Sequence, residues 1–213
     1  PGVLKGGGMA IDGFTEAHID CGEVTLAVHR AGQGAPLILL HGFPQTHRAW
    51  APVAPVLAAQ FDVIVPDLRG YGASDAPPDD ASHGVYAKRS MARDIVALMD
   101  ALGLPRAHVL RNARGARGAS RLALDAPARV QRLGIIEVLP TADYWRAFDA
   151  DLGMAIWHWT FLAQPAPLPE RMIGADPGFF IDTMLGRWTR ARSPDALPPE
   201  SVAAYRAQMA DPM

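Results

Sequence analysis

Three short runs carry residues suited to chemistry, and each follows an apolar stretch that reads as a buried strand. His41-Gly42-Phe43-Pro44 follows Leu37-Ile38-Leu39-Leu40. A turn of this kind can aim the backbone N–H of Phe43 at a ligand oxygen or halogen. Asp67-Leu68-Arg69-Gly70-Tyr71-Gly72-Ala73-Ser74-Asp75 follows Phe61-Asp62-Val63-Ile64-Val65. Its glycines permit a tight loop and its charges can tie that loop down, so loop architecture is the preferred reading over catalysis. Arg111-Asn112-Ala113-Arg114-Gly115-Ala116-Arg117 follows Leu110. At such a strand-to-helix turn, a Gly-x-nucleophile-x-Gly pattern would present a nucleophile on a sharply folded, strained backbone. Only Gly115 fits that pattern. Ala113 has no nucleophilic atom, and Arg111 puts a long side chain where the turn wants none.

The elements that must position these runs alternate. Val24–Arg30 reads as a strand ending at Gly32-Gln33-Gly34, and 37–40 and 61–65 as buried strands. Between His47 and Ala59, Trp50, Val53, Val56 and Leu57 are spaced as on a helix despite Pro52 and Pro55. A helix from Tyr86 to Leu102 closed by Gly103, a strand at 107–110, a helix near 115–124 and a strand at 133–136 repeat the pattern. The alternation predicts an α/β fold: a mostly parallel sheet with helices on both faces. After Pro140 the composition changes. Trp145, Trp157, Trp159 and Trp188 lie between 141 and 199 with several prolines and no strand-like alternation. This segment is expected to form a helical lid over the carboxyl edge of the sheet, with an ordinary aromatic helical core as the alternative. The expected divisions are 1–8 as a remnant or leader, 9–140 as the sheet-bearing core, and 141–213 as an incomplete lid.

Composition narrows the partners. The 213 residues are 49% hydrophobic, enough for one sizeable core. Lys and Arg total 20 against 22 Asp and Glu, a net charge of −2, with no basic cluster beyond the arginines at 111–121. Nucleic acid is therefore not expected, and a small neutral-to-anionic ligand is. Cys21 is the single cysteine and cannot form an internal disulfide, which fits a reducing compartment and makes the cytoplasm the default. No run approaches 18 apolar residues and the start lacks a secretory apolar stretch, so no membrane partner is expected.

From about residue 20 onward the chain resembles fluoroacetate dehalogenases, α/β-hydrolases related to haloalkane dehalogenases and epoxide hydrolases. The resemblance rests on His41-Gly42-Phe43-Pro44-Gln45-Thr46-His47, Asp67-Leu68-Arg69-Gly70-Tyr71-Gly72, Arg114-Gly115-Ala116-Arg117, and His158-Trp159 followed by Gln164-Pro165. It implies the α/β-hydrolase fold, a haloacetate substrate and no cofactor or metal. An elbow aspartate would displace halide from the substrate carbon, and histidine-activated water would hydrolyse the resulting enzyme ester. The position matching that aspartate is Ala113. Arg114 and Arg117 match the pair that holds the substrate carboxylate. Three apart at a helix start, they share a face where the dipole favours anions, although solvated surface arginines are the alternative. His158 and Trp159 match halide-binding donors, with plain core packing as the alternative for Trp159. Glu137 matches the acid that orients the catalytic histidine, with burial or a salt bridge as its alternative.

Two departures bear on activity. The elbow carries Arg111, Asn112 and Ala113 where the family has glycine, an intervening residue and the nucleophile. The family's histidine base and closing strands lie after the lid, and no histidine follows His158. The expectation is a dehalogenase-type chain, without its C-terminal strands, that does not run the aspartyl-ester reaction. A non-catalytic small-anion binding module and an epoxide-opening hydrolase are the rivals. Arg114 argues against the second, whose relatives usually carry an aromatic residue after the nucleophile. The oligomeric state is not legible, and a homodimer stays open.

Overall fold

The run Leu37-Ile38-Leu39-Leu40 shows why this sheet is covered on both sides. Side chains alternate across a strand. Ile38 and Leu40 enter one core with Val24, Leu26, Ile64, Ile95, Leu98 and Val109. Leu37 and Leu39 enter a second with Trp50, Ala54, Val63 and Val65. The computed structural model describes residues 11–80, 82–112, 116–137 and 141–210, with the backbone alone for 116–118.

Six strands form the sheet: β1 (Thr15–Asp20), β2 (Thr25–Ala31), β3 (Ala35–Leu40), β4 (Phe61–Pro66), β5 (Ala107–Asn112) and β6 (Val130–Ile136), in the order β1-β2-β4-β3-β5-β6. β3 is parallel to β4 and β5, and β5 to β6, while β2 is antiparallel to both β1 and β4. Helix α1 (Ala54–Ala58) packs on β4 in the second core; α2 (Lys88–Ala101) and α3 (Ala116–Asp125) pack on each other, with α2 against β1 and α3 against β5 and β6. This is the mostly parallel α/β sheet that the alternation predicts.

Two local readings change. The single helix expected over 47–59 is instead a 3-10 turn, His47–Trp50, followed by the five-residue α1. Proline explains the break: Pro52 has no N–H to continue a helix, whereas Pro55 sits in the first turn of α1, where a missing N–H costs nothing. The second change is β1, which no apolar alternation announced. Its residues are exposed except half-buried Ile19, because it pairs antiparallel at the sheet edge.

The chain divides into two compact units, Pro1–Val138 and Leu139–Met213. The second consists, among its described residues, of helices: α4 (Thr141–Arg146), α5 (Ala150–Ala155), α6 (Trp157–Phe161), α7 (Leu168–Ala175), α8 (Pro177–Trp188) and α9 (Pro199–Ala210), with one 3-10 turn at Pro194–Ala196. Asp149 and Asp176 cap α5 and α8 by accepting from the N–H groups of Leu152 and Phe179, each cap contributing about 1 kcal/mol. Phe180, Ile181, Met184 and Leu185 of α8 are buried, as are Val202 and Tyr205 of α9, the helix that packs on it. A bidentate Arg206–Asp182 pair joins those two helices at 2.8 and 2.7 Å.

Candidate active site

The strand order reverses direction at β3: the chain moves to β4 on one side and returns to β5 on the other. Ligands of parallel sheets bind outside the carboxyl ends of strands at such a point. Leu40 at the end of β3 is in register with Arg111 in β5, and Arg111 with Ile135 in β6. The topology thereby brings the His41–Pro44 turn, the approach to position 113 and Glu137 to one edge of the sheet.

Each strand end is held differently. His41 is fully buried; its Nδ1 donates to the Gly42 carbonyl at 3.1 Å and its Nε2 accepts the Leu68 N–H at 3.0 Å. This pairing fixes a neutral tautomer, and burial pushes the imidazole down to about 4, with the nearby Asp67 charge opposing. His41 thus ties the end of β3 to the loop after β4. Phe43 is half-buried and precedes Pro44 through a cis peptide bond.

The loop after β4 is architectural. Burial alone would raise the Asp67 carboxyl, but hydrogen bonds and charge from His47 hold it below the usual carboxylate range. Asp67 accepts from the His47 backbone N–H at 2.7 Å and from His47 Nδ1 at 3.0 Å. Ser74 Oγ donates to the Asp67 carbonyl and accepts from the Ala27 N–H, while Asp75 accepts from the Thr25 N–H. Gly72 has φ +57°, and a Cβ there would fall inside the Asp67 carboxylate, so this position needs glycine. Arg69 is 2% exposed; Asp94 accepts from its Nε at 2.6 Å and also from its Nη2, and Glu23 accepts from Nη2 at 3.2 Å.

Arg111 is the residue that sequence reasoning undervalued. It is 2% exposed, forms no ion pair among the described residues, and its Nε has no hydrogen-bond partner among them. Burial lowers its guanidinium to about 9, with Tyr71 acting in the opposite direction. Its place in the period-two pattern of Ala107, Val109 and Arg111 was the available signal: all three are buried.

Of the other expected site residues, Ala113 and Arg114 lie outside the described residues, and Arg117 is described by its α3 backbone alone. Glu137 directly follows β6, exposed and at φ 58°, with no ion pair among the described residues. His158 and Trp159 lie on α6 of the second unit, 3% and 8% exposed. Trp159 meets Tyr144 edge-on at 4.8 Å, and His158 meets Trp188 at 5.5 Å.

Residues 35–210 match the family described as the alpha/beta hydrolase fold. The chain belongs to the α/β-hydrolase family. It is 43% identical over 201 residues to a protein from Burkholderia named fluoroacetate dehalogenase, covering 94% of this chain and 66% of that one. A soluble epoxide hydrolase from Corynebacterium is 33% identical over 176 residues, covering 82% and 60%. The chain thus spans about two thirds of the length of these curated relatives. Among solved structures, a protein from Nostoc described as an α/β hydrolase superposes with TM-score 0.89 at 42% identity, covering 93% of this chain and 68% of that one. A protein from Pseudomonas aeruginosa described as an epoxide hydrolase does so with TM-score 0.89 at 41% identity, covering 95% and 67%. The α/β-hydrolase fold expected from the motifs is the fold of this chain. Among the described residues, no helix is long and apolar enough to cross a membrane.

Proposed function

We propose that this chain is an α/β-hydrolase of the haloacetate-dehalogenase type whose elbow, as its sequence stands, does not perform the aspartyl-ester reaction. The supporting observation is the 43% identity to a fluoroacetate dehalogenase across 94% of the chain, against 33% over 82% for the soluble epoxide hydrolase. In this reading Arg114 and Arg117 hold a substrate carboxylate, His158 and Trp159 receive the halide, the Phe43 N–H faces a ligand atom, and Glu137 is the acid position. Residues 141–213 form the lid. Displacement of halide from a saturated carbon needs an anionic nucleophile, and Ala113 offers none. Loss of a triad nucleophile costs about 10⁴ to 10⁶ in turnover.

Fluoride release from fluoroacetate, followed with an ion-selective electrode, is expected not to exceed a boiled control; release above it overturns the inactivity. Calorimetric titration with fluoroacetate or glycolate tests the substrate class. Saturable binding that weakens in Arg114→Ala and Arg117→Ala supports the carboxylate reading, and preference for a neutral epoxide overturns it. The binding-module reading has its own support in Arg111: a buried guanidinium without a carboxylate partner among the described residues leaves a cation at the strand edge where a small anion would gain most.

A further inference from the structure

Outside the elbow, a second group of ligating side chains converges in the first unit. His29 lies in β2, in register with Val65 of β4; His47 opens the 3-10 turn; Asp67 follows β4. They are 1%, 5% and 0% exposed. One potential ligand atom from each lies within 4.8 Å of the others. The two imidazoles overlap, with ring centroids 3.8 Å apart and planes tilted by 34°.

Two ring atoms in this group, His29 Nδ1 and His47 Nε2, are buried without a hydrogen-bond partner among the described residues. Buried polar atoms are almost always paired, so two orphans on adjoining rings call for a partner. His47 is also oriented for one. Its Nδ1 lies 3.0 Å from each Asp67 oxygen, and donation there leaves the lone pair on Nε2. A carboxylate holding one imidazole nitrogen so that the other can ligate is the usual outer arrangement of histidine metal sites.

We propose that His29, His47 and Asp67 form a buried site for one divalent ion of the zinc class, the imidazoles ligating through His29 Nδ1 and His47 Nε2 while Asp67 orients His47. Imidazole nitrogen suits zinc-class ions, whereas Ca²⁺ and Mg²⁺ prefer all-oxygen shells. Ligand atoms about 2.0–2.1 Å from one ion stand roughly 3.4 Å apart in a tetrahedron, which sets two ligating imidazole centroids about 5 Å apart, so loading must turn the rings and open their 3.8 Å stack, and water entering with the ion fills the remaining positions. The ion would join β2, the 3-10 turn and the end of β4. It has no role at the elbow and is independent of the dehalogenase reading.

The test is titration of the metal-stripped chain with Zn²⁺ at about pH 7.5, where both imidazoles must be neutral to bind. One ion per chain with micromolar or tighter affinity is expected. His29→Gln and His47→Gln should each weaken it by about 100-fold or more, and Asp67→Asn by about 10- to 100-fold. His18→Gln, an exposed histidine on β1, should leave it unchanged. Free Zn²⁺ at about 100 times the Kd should raise Tm by roughly 5–10 °C. X-ray absorption of the zinc-loaded unsubstituted chain keeps the test decisive even if a variant fails to fold. Two imidazoles in the shell support the site. An all-oxygen shell, absence of stoichiometric binding, or binding that survives both histidine substitutions overturns it.

Discussion

Arg111→Met should make the protein more stable. The wild-type side chain is 2% exposed and, among the described residues, has no ion pair and no hydrogen-bond partner for its Nε. Burial lowers its guanidinium well below the ordinary arginine value, to about 9, and at about 1.4 kcal/mol per pH unit the folded state carries a penalty of up to about 5 kcal/mol at neutral pH. Methionine keeps an unbranched stem in the same space and removes the charge. Replacing buried charge by well-packed apolar groups has returned about 1–4 kcal/mol elsewhere, and that is the expected gain. For a chain of this length, Tm should rise by roughly 2–4 °C per kcal/mol. Urea denaturation followed by circular dichroism at neutral pH is the assay, with Arg111→Ala as a comparator that gains less because it opens a cavity. The sign with pH is also fixed. Since the folded value lies below the unfolded one, the unfolded state binds more protons above about pH 9, and wild-type stability recovers as pH rises from there toward the ordinary arginine value. The gap between variant and wild type should therefore narrow by about 1.4 kcal/mol per pH unit above about 9. If Arg111→Met instead loses 1 kcal/mol or more at neutral pH, on the order of a lost charged hydrogen bond, the guanidinium is paired and the reasoning fails.

Three further outcomes follow from the strand-end geometry. Gly72→Ala should cost more than about 1–3 kcal/mol in urea, because φ is positive and the new Cβ meets the Asp67 carboxylate; Gly103→Ala, also at positive φ but with nothing within 4 Å, should cost less. Asp94→Ala should cost about 3–5 kcal/mol by stranding buried Arg69, whereas Glu23→Ala, whose carboxylate is 62% exposed, should cost under about 1 kcal/mol. Neutral His41 titrates at about 4 when folded and about 6.5 when unfolded. Its contribution is therefore intact above about pH 7 and is lost on acidification between about 6.5 and 4, by about 3 kcal/mol in all; a flat stability profile between pH 7 and 5 would contradict the buried neutral assignment.

The parallel strands were legible because their residues are buried on both faces, which leaves short all-apolar runs such as 37–40 and 61–65. β1 was not, since an exposed edge strand is selected by backbone pairing with β2 and leaves no apolar pattern. The prolines at 52 and 55 outweighed the helical spacing of Trp50, Val53 and Val56 because a missing N–H acts locally and spacing does not. At the site, the order of motifs placed Phe43, Arg111 and Glu137 at successive strand ends. What spacing could not convey was charge balance. Arg111 reads in sequence as an obstruction at a turn, and only its burial beside His41 and Tyr71, with no carboxylate partner among the described residues, turns it into an energetic feature. The His29–His47 contact was hidden for a different reason: it joins residues 18 positions apart through a strand and a turn that no local pattern relates.

The position of that buried charge carries an argument about the elbow as a whole. A nucleophile turn is normally a place where stability is given up for chemistry. In the proposed reading Ala113 stands at the nucleophile position, and the strand leading to it bears a buried guanidinium. Mere loss of catalysis would be satisfied by any small or apolar residue at 111, which would also pack more cheaply against the core containing Val109 and Leu122. A guanidinium there makes physical sense when an anion completes it, and the strand edge it occupies is where this topology receives ligands. Arg111 thus strengthens the anion-binding reading, and in the proposed dehalogenase reading Ala113 supplies no nucleophilic atom for an enzyme ester.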